Sequence, residues 1–306
     1  VDQFVYPIII PSTGTTGLYK EFSTSYYKSF VKILLNDNIE ITGQFIDTII
    51  SNLTHTGPSV QSLTGYDKLY IMLIIRAYNI SPNIRLGFKT PETKDKKSTT
   101  INANININEV IEILDSLSMK HFFTINHPGG MMIKGSLPSA LAVDNFSWLI
   151  ASCIDEIHIK DKVTRIRELP YQQQIEILDK LPSGVFTDVI NFLQDQHTIL
   201  SSASLFDIDL ETEVEGPTDI KLGIVDSTMF EFIKLLYRCD LKEFYQSEYQ
   251  LCKAKMPLEL IHSSTPAEIT LYYNIISEYI KKEQEEMKKS NEPKGMQLPG
   301  NPVGGM

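Results

Sequence analysis

One stretch constrains this chain more than any other. Residues 63–80, LTGYDKLYIMLIIRAYNI, open on Thr64 with Asp67 three positions later, the spacing of a helix-capping box. From Leu69 to Tyr78 the segment is apolar on almost every side. A helix that is hydrophobic all round has to be covered all round. Its apolar run is about half the roughly 20 residues that span a bilayer, so lipid is not the cover. The segment therefore predicts a central, buried helix, and the rest of the chain must supply layers to enclose it.

The flanking sequence supplies them by changing its period. Tyr26, Tyr27, Phe30, Val31, Leu34 and Leu35 recur at helical spacing, and so do Phe45, Ile46, Ile49, Ile50 and Leu53. Upstream, residues 4–14 read as a short strand interrupted by Pro7 and closed by a Pro-Ser-Thr-Gly turn. After Pro82 the period becomes two: Ile101, Ala103, Ile105 and Ile107 alternate with polar residues, as in a half-buried strand. Residues 122–126 and 131–134 flank His127-Pro128-Gly129-Gly130, a hairpin with a four-residue turn. Helices are expected at 109–117 and at 138–154, the latter carrying Trp148, with a last strand at 156–160. Residues 88–100, rich in lysine, read as a mobile polar loop. Residues 1–160 are thus expected to form an α+β domain, helices packed with a small mixed or antiparallel sheet.

Beyond it the pattern is helical. Two short helices, at 171–180 and 185–194, are separated by Leu181-Pro182-Ser183-Gly184 and make a helical hairpin over 161–200. Between 201 and 230 lie Asp207, Asp209, Glu211, Glu213, Glu215, Asp219 and Asp226 against Lys221 alone. Seven acids and one base give −6, more than half of the chain's net −10, so 201–225 is expected to be an exposed acidic linker or hairpin. Residues 226–290 read as an all-α module, in which Thr265-Pro266-Ala267-Glu268 is a strong helix start. The Pro/Gly-rich residues 291–306 read as a flexible tail.

Composition then excludes function classes. A net charge of −10 disfavours nucleic acid and anionic membrane surfaces as partners. Cys153, Cys239 and Cys252 are too few and too scattered for a disulfide framework, which suits a reducing compartment. No signal-peptide order opens the sequence. P-loop, dinucleotide, HExxH and nucleophile-elbow patterns are missing. Ser12 to Gly17 lacks the Lys-Ser/Thr ending of a phosphate loop and reads as a hairpin turn. Asp207, Asp209 and Glu211 begin like a calcium loop, but Thr212 and Thr218 stand where it needs Gly and Glu. His127 on its glycine turn is the most site-like residue, and an enzyme using it with a distant carboxylate is the competing reading. No catalytic, cofactor-binding or metal-binding residue is assigned. The candidate functional residues are instead aromatic: Tyr237, Phe244, Tyr245, Tyr249, Tyr272 and Tyr273, whose amphipathic rings suit a protein interface. The bland alternative is that they close their own module's core.

Taken together, Pro11-Ser12-Thr13-Gly14, the helix from Tyr26 to Lys32 with Leu34-Leu35-Asn36-Asp37 after it, Asp67-Lys68-Leu69, Arg76 and the later Leu181-Pro182 carry a resemblance. The chain resembles the baseplate hub assembly proteins of T-even-like contractile-tailed bacteriophages, most specifically over residues 5–90 and more loosely to about 195. The resemblance implies a late protein of the host cytoplasm, a chaperone-like assembly factor or minor hub component without enzymatic activity. Its partners would be hub or tape-measure proteins. Some members of that family carry a zinc-ribbon-like insert near the acidic segment; residues 201–230 contain no cysteine, so that metal site does not carry over.

Overall fold

The structure is a computed structural model that describes residues 4–89, 100–140, 146–205, 221–224 and 228–291. At its centre is the helix the sequence demands, α3, Gly65–Asn79. Its start is a complete capping box. The Asp67 backbone N–H donates to Thr64 Oγ1 at 3.1 Å, and the Thr64 N–H donates to Asp67 Oδ2 at 2.8 Å. Leu69, Ile71, Met72, Leu73 and Ile75 are all fully buried, so the apolar pattern is met by cover over most of the helix, but the expected burial stops short of Tyr78, which is exposed at its C-terminal end.

The cover comes from several layers. β1 (Val5–Ile9) pairs antiparallel with β2 (Thr16–Lys20), which pairs with the short β3 (Thr54–Thr56). Pro7 sits in β1, opposite Leu18, and is tolerated because β1 is an edge strand that can spare an N–H. Tyr6, Ile8 and Ile10 point from this sheet into the core. The helices α1 (Thr24–Leu34) and α2 (Ile39–Leu53), capped by Ser23 and Asn38, pack on each other, and α2 in turn packs on α3. Leu35 falls just outside α1 and is exposed, so the predicted stripe ends one residue earlier.

A second hairpin, β4 (Asn83–Lys89) with β5 (Thr100–Asn106), leads into α4 (Ile107–Ser116). The largest sheet follows: β6 (Phe122–His127), β7 (Met131–Ser136), β8 (Ile154–Ile159) and β9 (Lys162–Arg165), antiparallel in that order. α5 (Phe146–Cys153), α6 (Tyr171–Leu178) and α7 (Ser183–Ser202) accompany it. The rest is helical: α8 (Thr228–Leu236), α9 (Leu241–Lys253), α10 (Leu258–Ser263) and α11 (Pro266–Asn291). The class is α+β, with small antiparallel sheets among the N-terminal helices and an all-helical C-terminal region.

Several expectations are corrected. His127 is the last residue of β6, leaving Pro128, Gly129 and Gly130 as a three-residue turn in which both glycines take positive φ. Of the helix expected over 138–154, residues 138–140 are not helical, 141–145 lie outside the described residues, and α5 ends at Cys153 because Ile154 pairs into β8. The sheet continues past 160 into β9, turning at Lys160 with φ 52°. Lys89 and Thr100 belong to strands, so only 90–99 of the expected loop falls outside the described residues. The acidic side chains of 207–219 and Asp226 also lie outside them, but Leu205, Leu222 and Ile224 on either side are buried in the main core. The tail expected at 291–306 is undescribed beyond Asn291.

Candidate partner surface

The motif residues of α3, Asp67, Lys68 and Arg76, are occupied with building the fold. Asp67 is fully buried, and besides capping α3 its Oδ1 accepts the Ser12 N–H at 2.9 Å. The carboxylate therefore fastens the Pro-Ser-Thr-Gly turn to the start of the central helix. Lys68, beside it, reaches Asp47 of α2 at 2.7 Å. At the other end of α3, Asn79 Oδ1 accepts the Phe22 N–H at 2.8 Å, while its amide donates to the Tyr6 hydroxyl at 2.9 Å. Arg76 donates to the carbonyls of Leu236 and, at 2.6 Å, Ser81. Buried polar groups need partners, and each of these finds one across a chain junction. None is left turned outward for chemistry.

Of the aromatic candidates, Tyr237 is corrected outright. It is buried, its ring packs edge-on against Phe30 at 4.9 Å, and its hydroxyl donates to the Met72 carbonyl at 2.7 Å. Burial drives its phenol far above the ordinary range. The signal was in the sequence: Tyr237 continues the α8 stripe of Met229, Phe230, Ile233 and Leu236, and all of these but Phe230 dock on the main core. α8 thus packs with the N-terminal elements, although the sequence groups it with the later helices.

The other five divide. Phe244 is half-buried against Tyr27, ring centroids 6.2 Å apart. Tyr272 and Tyr273 are half-buried against a small separate core of Leu251, Ile261 and Ile269. Tyr245 and Tyr249, one turn apart on α9, are exposed. An open groove of about 760 Å³ is lined by Lys242, Tyr245, Gln246, Tyr249 and Gln250 of α9 and by Tyr273 of α11. It combines three aromatic bodies with two amides and one ammonium, a surface that can bury apolar groups and still hydrogen-bond a peptide. Tyr245 is held in place from α1: the Lys28 ammonium sits 4.5 Å from its ring centroid and 2.8 Å from Glu248 Oε2. A cation over an aromatic face is attracted by the ring's quadrupole, so the pair orients the ring.

The histidines do not converge. His127 Nδ1 lies 2.7 Å from the carbonyl of its own neighbour Pro128, and neither the tyrosine groove nor a smaller cavity of about 300 Å³ between α1 and α8 touches it. His121 is largely buried beside Tyr66, and that burial lowers its pKa. His158 pairs with Glu156 at 2.8 Å on the surface of β8. Among the described residues no group of three His, Cys, Asp or Glu side chains is placed to hold a metal ion. No described helix is long and apolar enough to cross a membrane.

Comparison with known proteins is narrow but specific. No curated protein and no solved structure matches the chain. One family model does, that of the T4 bacteriophage base plate protein, over residues 3–205. The match begins before β1, takes in the Asp67 junction and α3, and stops after α7, so it covers about two thirds of the chain and leaves out α8 to α11. On that match, the chain belongs to the T4 bacteriophage base plate protein family.

Proposed function

We propose that this chain serves assembly of the baseplate hub, as a chaperone-like assembly factor or minor hub component that binds hub or tape-measure proteins in the host cytoplasm. Family membership makes other baseplate proteins its natural partners. The narrowing to the hub rests on the Pro-Ser-Thr-Gly turn, the Leu34-Leu35-Asn36-Asp37 and Asp67-Lys68-Leu69 strings and Arg76. One observation carries the binding role. The motif side chains Asp67, Lys68, Leu69 and Arg76 are spent inside the fold, whereas the described groove of Tyr245, Tyr249 and Tyr273 lies open on helices outside the family-matched region. The chemistry this supports is recognition, with aromatic bodies for apolar contact and hydroxyls, amides and Lys242 for polar contact.

The experiment is affinity capture from infected cells, followed by mass spectrometry of the partners. The wild-type chain is expected to retain hub or tape-measure proteins. The double variant Tyr245→Ala/Tyr249→Ala is expected to lose them with unchanged melting, because both rings are exposed. Retention of full capture by the double variant would move the binding surface elsewhere. Presence of the chain in purified virions would separate a hub component from an assembly factor that departs.

A further inference from the structure

α11 carries an apolar stripe that the fold leaves uncovered. Leu271, Ile275 and Tyr279 are 56%, 55% and 65% exposed, and they follow one another at a spacing of four. Glu268 precedes them and Lys282 follows, and at 3.6 residues per turn all five fall within about 40° of the line through Ile275. The stripe reads acid, three apolar residues, base, over about 21 Å of helix. The side of α11 that packs on its own chain adjoins this stripe, with Ile269 buried and Tyr272, Tyr273 and Ile276 half-buried.

The order of this stripe is self-complementary. Set a second copy antiparallel across it, with the two-fold axis at Ile275. Ile275 then meets Ile275 of the other copy, Leu271 meets Tyr279, and Glu268 meets Lys282 at both ends. A parallel pairing would oppose Glu268 to Glu268 and Lys282 to Lys282, so charge selects one orientation. Both ends also have capacity to pair. Among the described residues Lys282 makes no ion pair. Glu268 uses Oε2 to cap Thr265 at 2.7 Å, leaving Oε1 for a cation. Burial raises the Glu21 pKa and repulsion from the nearby Glu268 charge adds to it, a repulsion that an arriving ammonium would relieve.

We infer that the chain forms a two-fold antiparallel homodimer through the Leu271-Ile275-Tyr279 face of α11, locked in orientation by Glu268 and Lys282 pairs. A closed isologous contact of this kind is the commonest route to a symmetric oligomer.

Sedimentation of the full chain over a range of concentrations tests it. The expected result is a monomer–dimer equilibrium that Ile275→Asp converts to monomer. Since Ile275 is exposed, circular dichroism and melting of that variant should stay those of the wild type. Lys282→Glu should weaken the dimer by setting like charges opposite one another. Orientation is read by cross-linking in a Cys252→Ser background. A mixture of Leu271→Cys and Tyr279→Cys chains should form a disulfide-linked heterodimer, which neither variant forms alone. A chain that stays monomeric at all concentrations overturns the inference, as does a dimer that Ile275→Asp leaves intact. So does finding the stripe cross-linked in infected cells to a different baseplate protein while the isolated chain is monomeric.

Discussion

The two ends of this molecule solve the same problem with very different means. From β1 to α7, and again in α8, one continuous core surrounds α3, and polar side chains lock the junctions: Asp67 to Ser12, Asn79 to Phe22 and Tyr6, Arg76 to Leu236, Tyr237 to Met72. From α9 to α11 the separate core is three residues, Leu251, Ile261 and Ile269, helped by half-buried Met256, Tyr272, Tyr273 and Ile276. In the first region several polar side chains are inside as well, although Ile9, Leu35, Tyr78 and Phe122 stay exposed at its surface. In the second, Tyr249, Leu258, Leu271, Ile275 and Tyr279 are outside. Apolar surface left in water contributes nothing to folding until something covers it. On the function proposed above, the first region supplies stability and the second recognition.

The hardest blow to that contrast falls on α3. Leu73 is fully buried, and Leu73→Asp places a charge without a partner in a dry core. Such a burial costs several kcal/mol, comparable to the net stability of a domain. The expected outcome is an insoluble or unfolded chain, with no cooperative change in Trp148 fluorescence on heating. A soluble Leu73→Asp variant that melts like the wild type would show that α3 is not the centre of the fold.

Asp67→Ala is the next largest. It strips a partner from the Ser12 N–H, the Thr64 N–H and the Thr64 hydroxyl, which donates to Oδ2 at 2.7 Å. Donors left unpaired in a buried junction cost about 1–3 kcal/mol each in the worst case, and lost capping adds to this. We expect a total near about 3 kcal/mol, read as a fall in the denaturation midpoint at an unchanged slope. No detectable shift would mean that water replaces the carboxylate and that the motif aspartate is not a fastener.

Ile261→Ala sharpens the contrast from the other side. Ile261 is one of three residues in the small core, and truncating a buried isoleucine costs about 2 kcal/mol or more. Because that core is separate, the loss should appear as faster amide exchange in α9, α10 and the first turns of α11, with α3 protection unchanged. Equal loss of protection in α3 would make the two regions a single cooperative unit.

How much of this was legible in the sequence follows the same division. α3 could be read because its cap and its all-round apolar pattern are both local. The aromatic stripe of α8 was legible as a stripe, yet its neighbour was not, since nothing in Tyr237 says that Met72 will accept its hydroxyl. β9, KVTR, is four residues long and exists only by pairing with β8, and α10, LELIHS, is six residues long after Pro257. Elements that short have no period to detect, and tertiary contact decides them. Of the candidate surface, Tyr245 and Tyr249 were identifiable as amphipathic rings on a helix. Their exposure depends on Phe244, one position away, being the residue that turns inward to Tyr27.

The smallest effect concerns the hinge between the two regions. Glu248 of α9 accepts from Lys28 of α1 at 2.8 Å, and His262 of α10 lies 3.5 Å from its other oxygen. Burial raises the Glu248 pKa, but the Lys28 hydrogen bond and charge, with His262 adding to them, outweigh it and hold the carboxyl below the ordinary range. A carboxyl whose folded pKa is depressed binds its proton more readily in the unfolded chain. Its contribution is therefore complete above the ordinary carboxylate pKa and is lost as pH falls through the lower, folded value. Acidification should loosen the docking of α9 on α1 before it reaches the main core, whose α3 junctions are shielded. In Glu248→Gln the pH-dependent part should vanish, leaving α9 exchange faster at neutral pH and nearly flat below it. Trp148 on α5 in the first region should record no change between the two proteins. Identical acid profiles for wild type and Glu248→Gln would show that the ion pair does not hold the helices together, and that the remaining contacts, Phe244 against Tyr27, Lys28 over Tyr245 and the Thr24-to-Ser264 backbone bond of 2.8 Å among them, carry the junction.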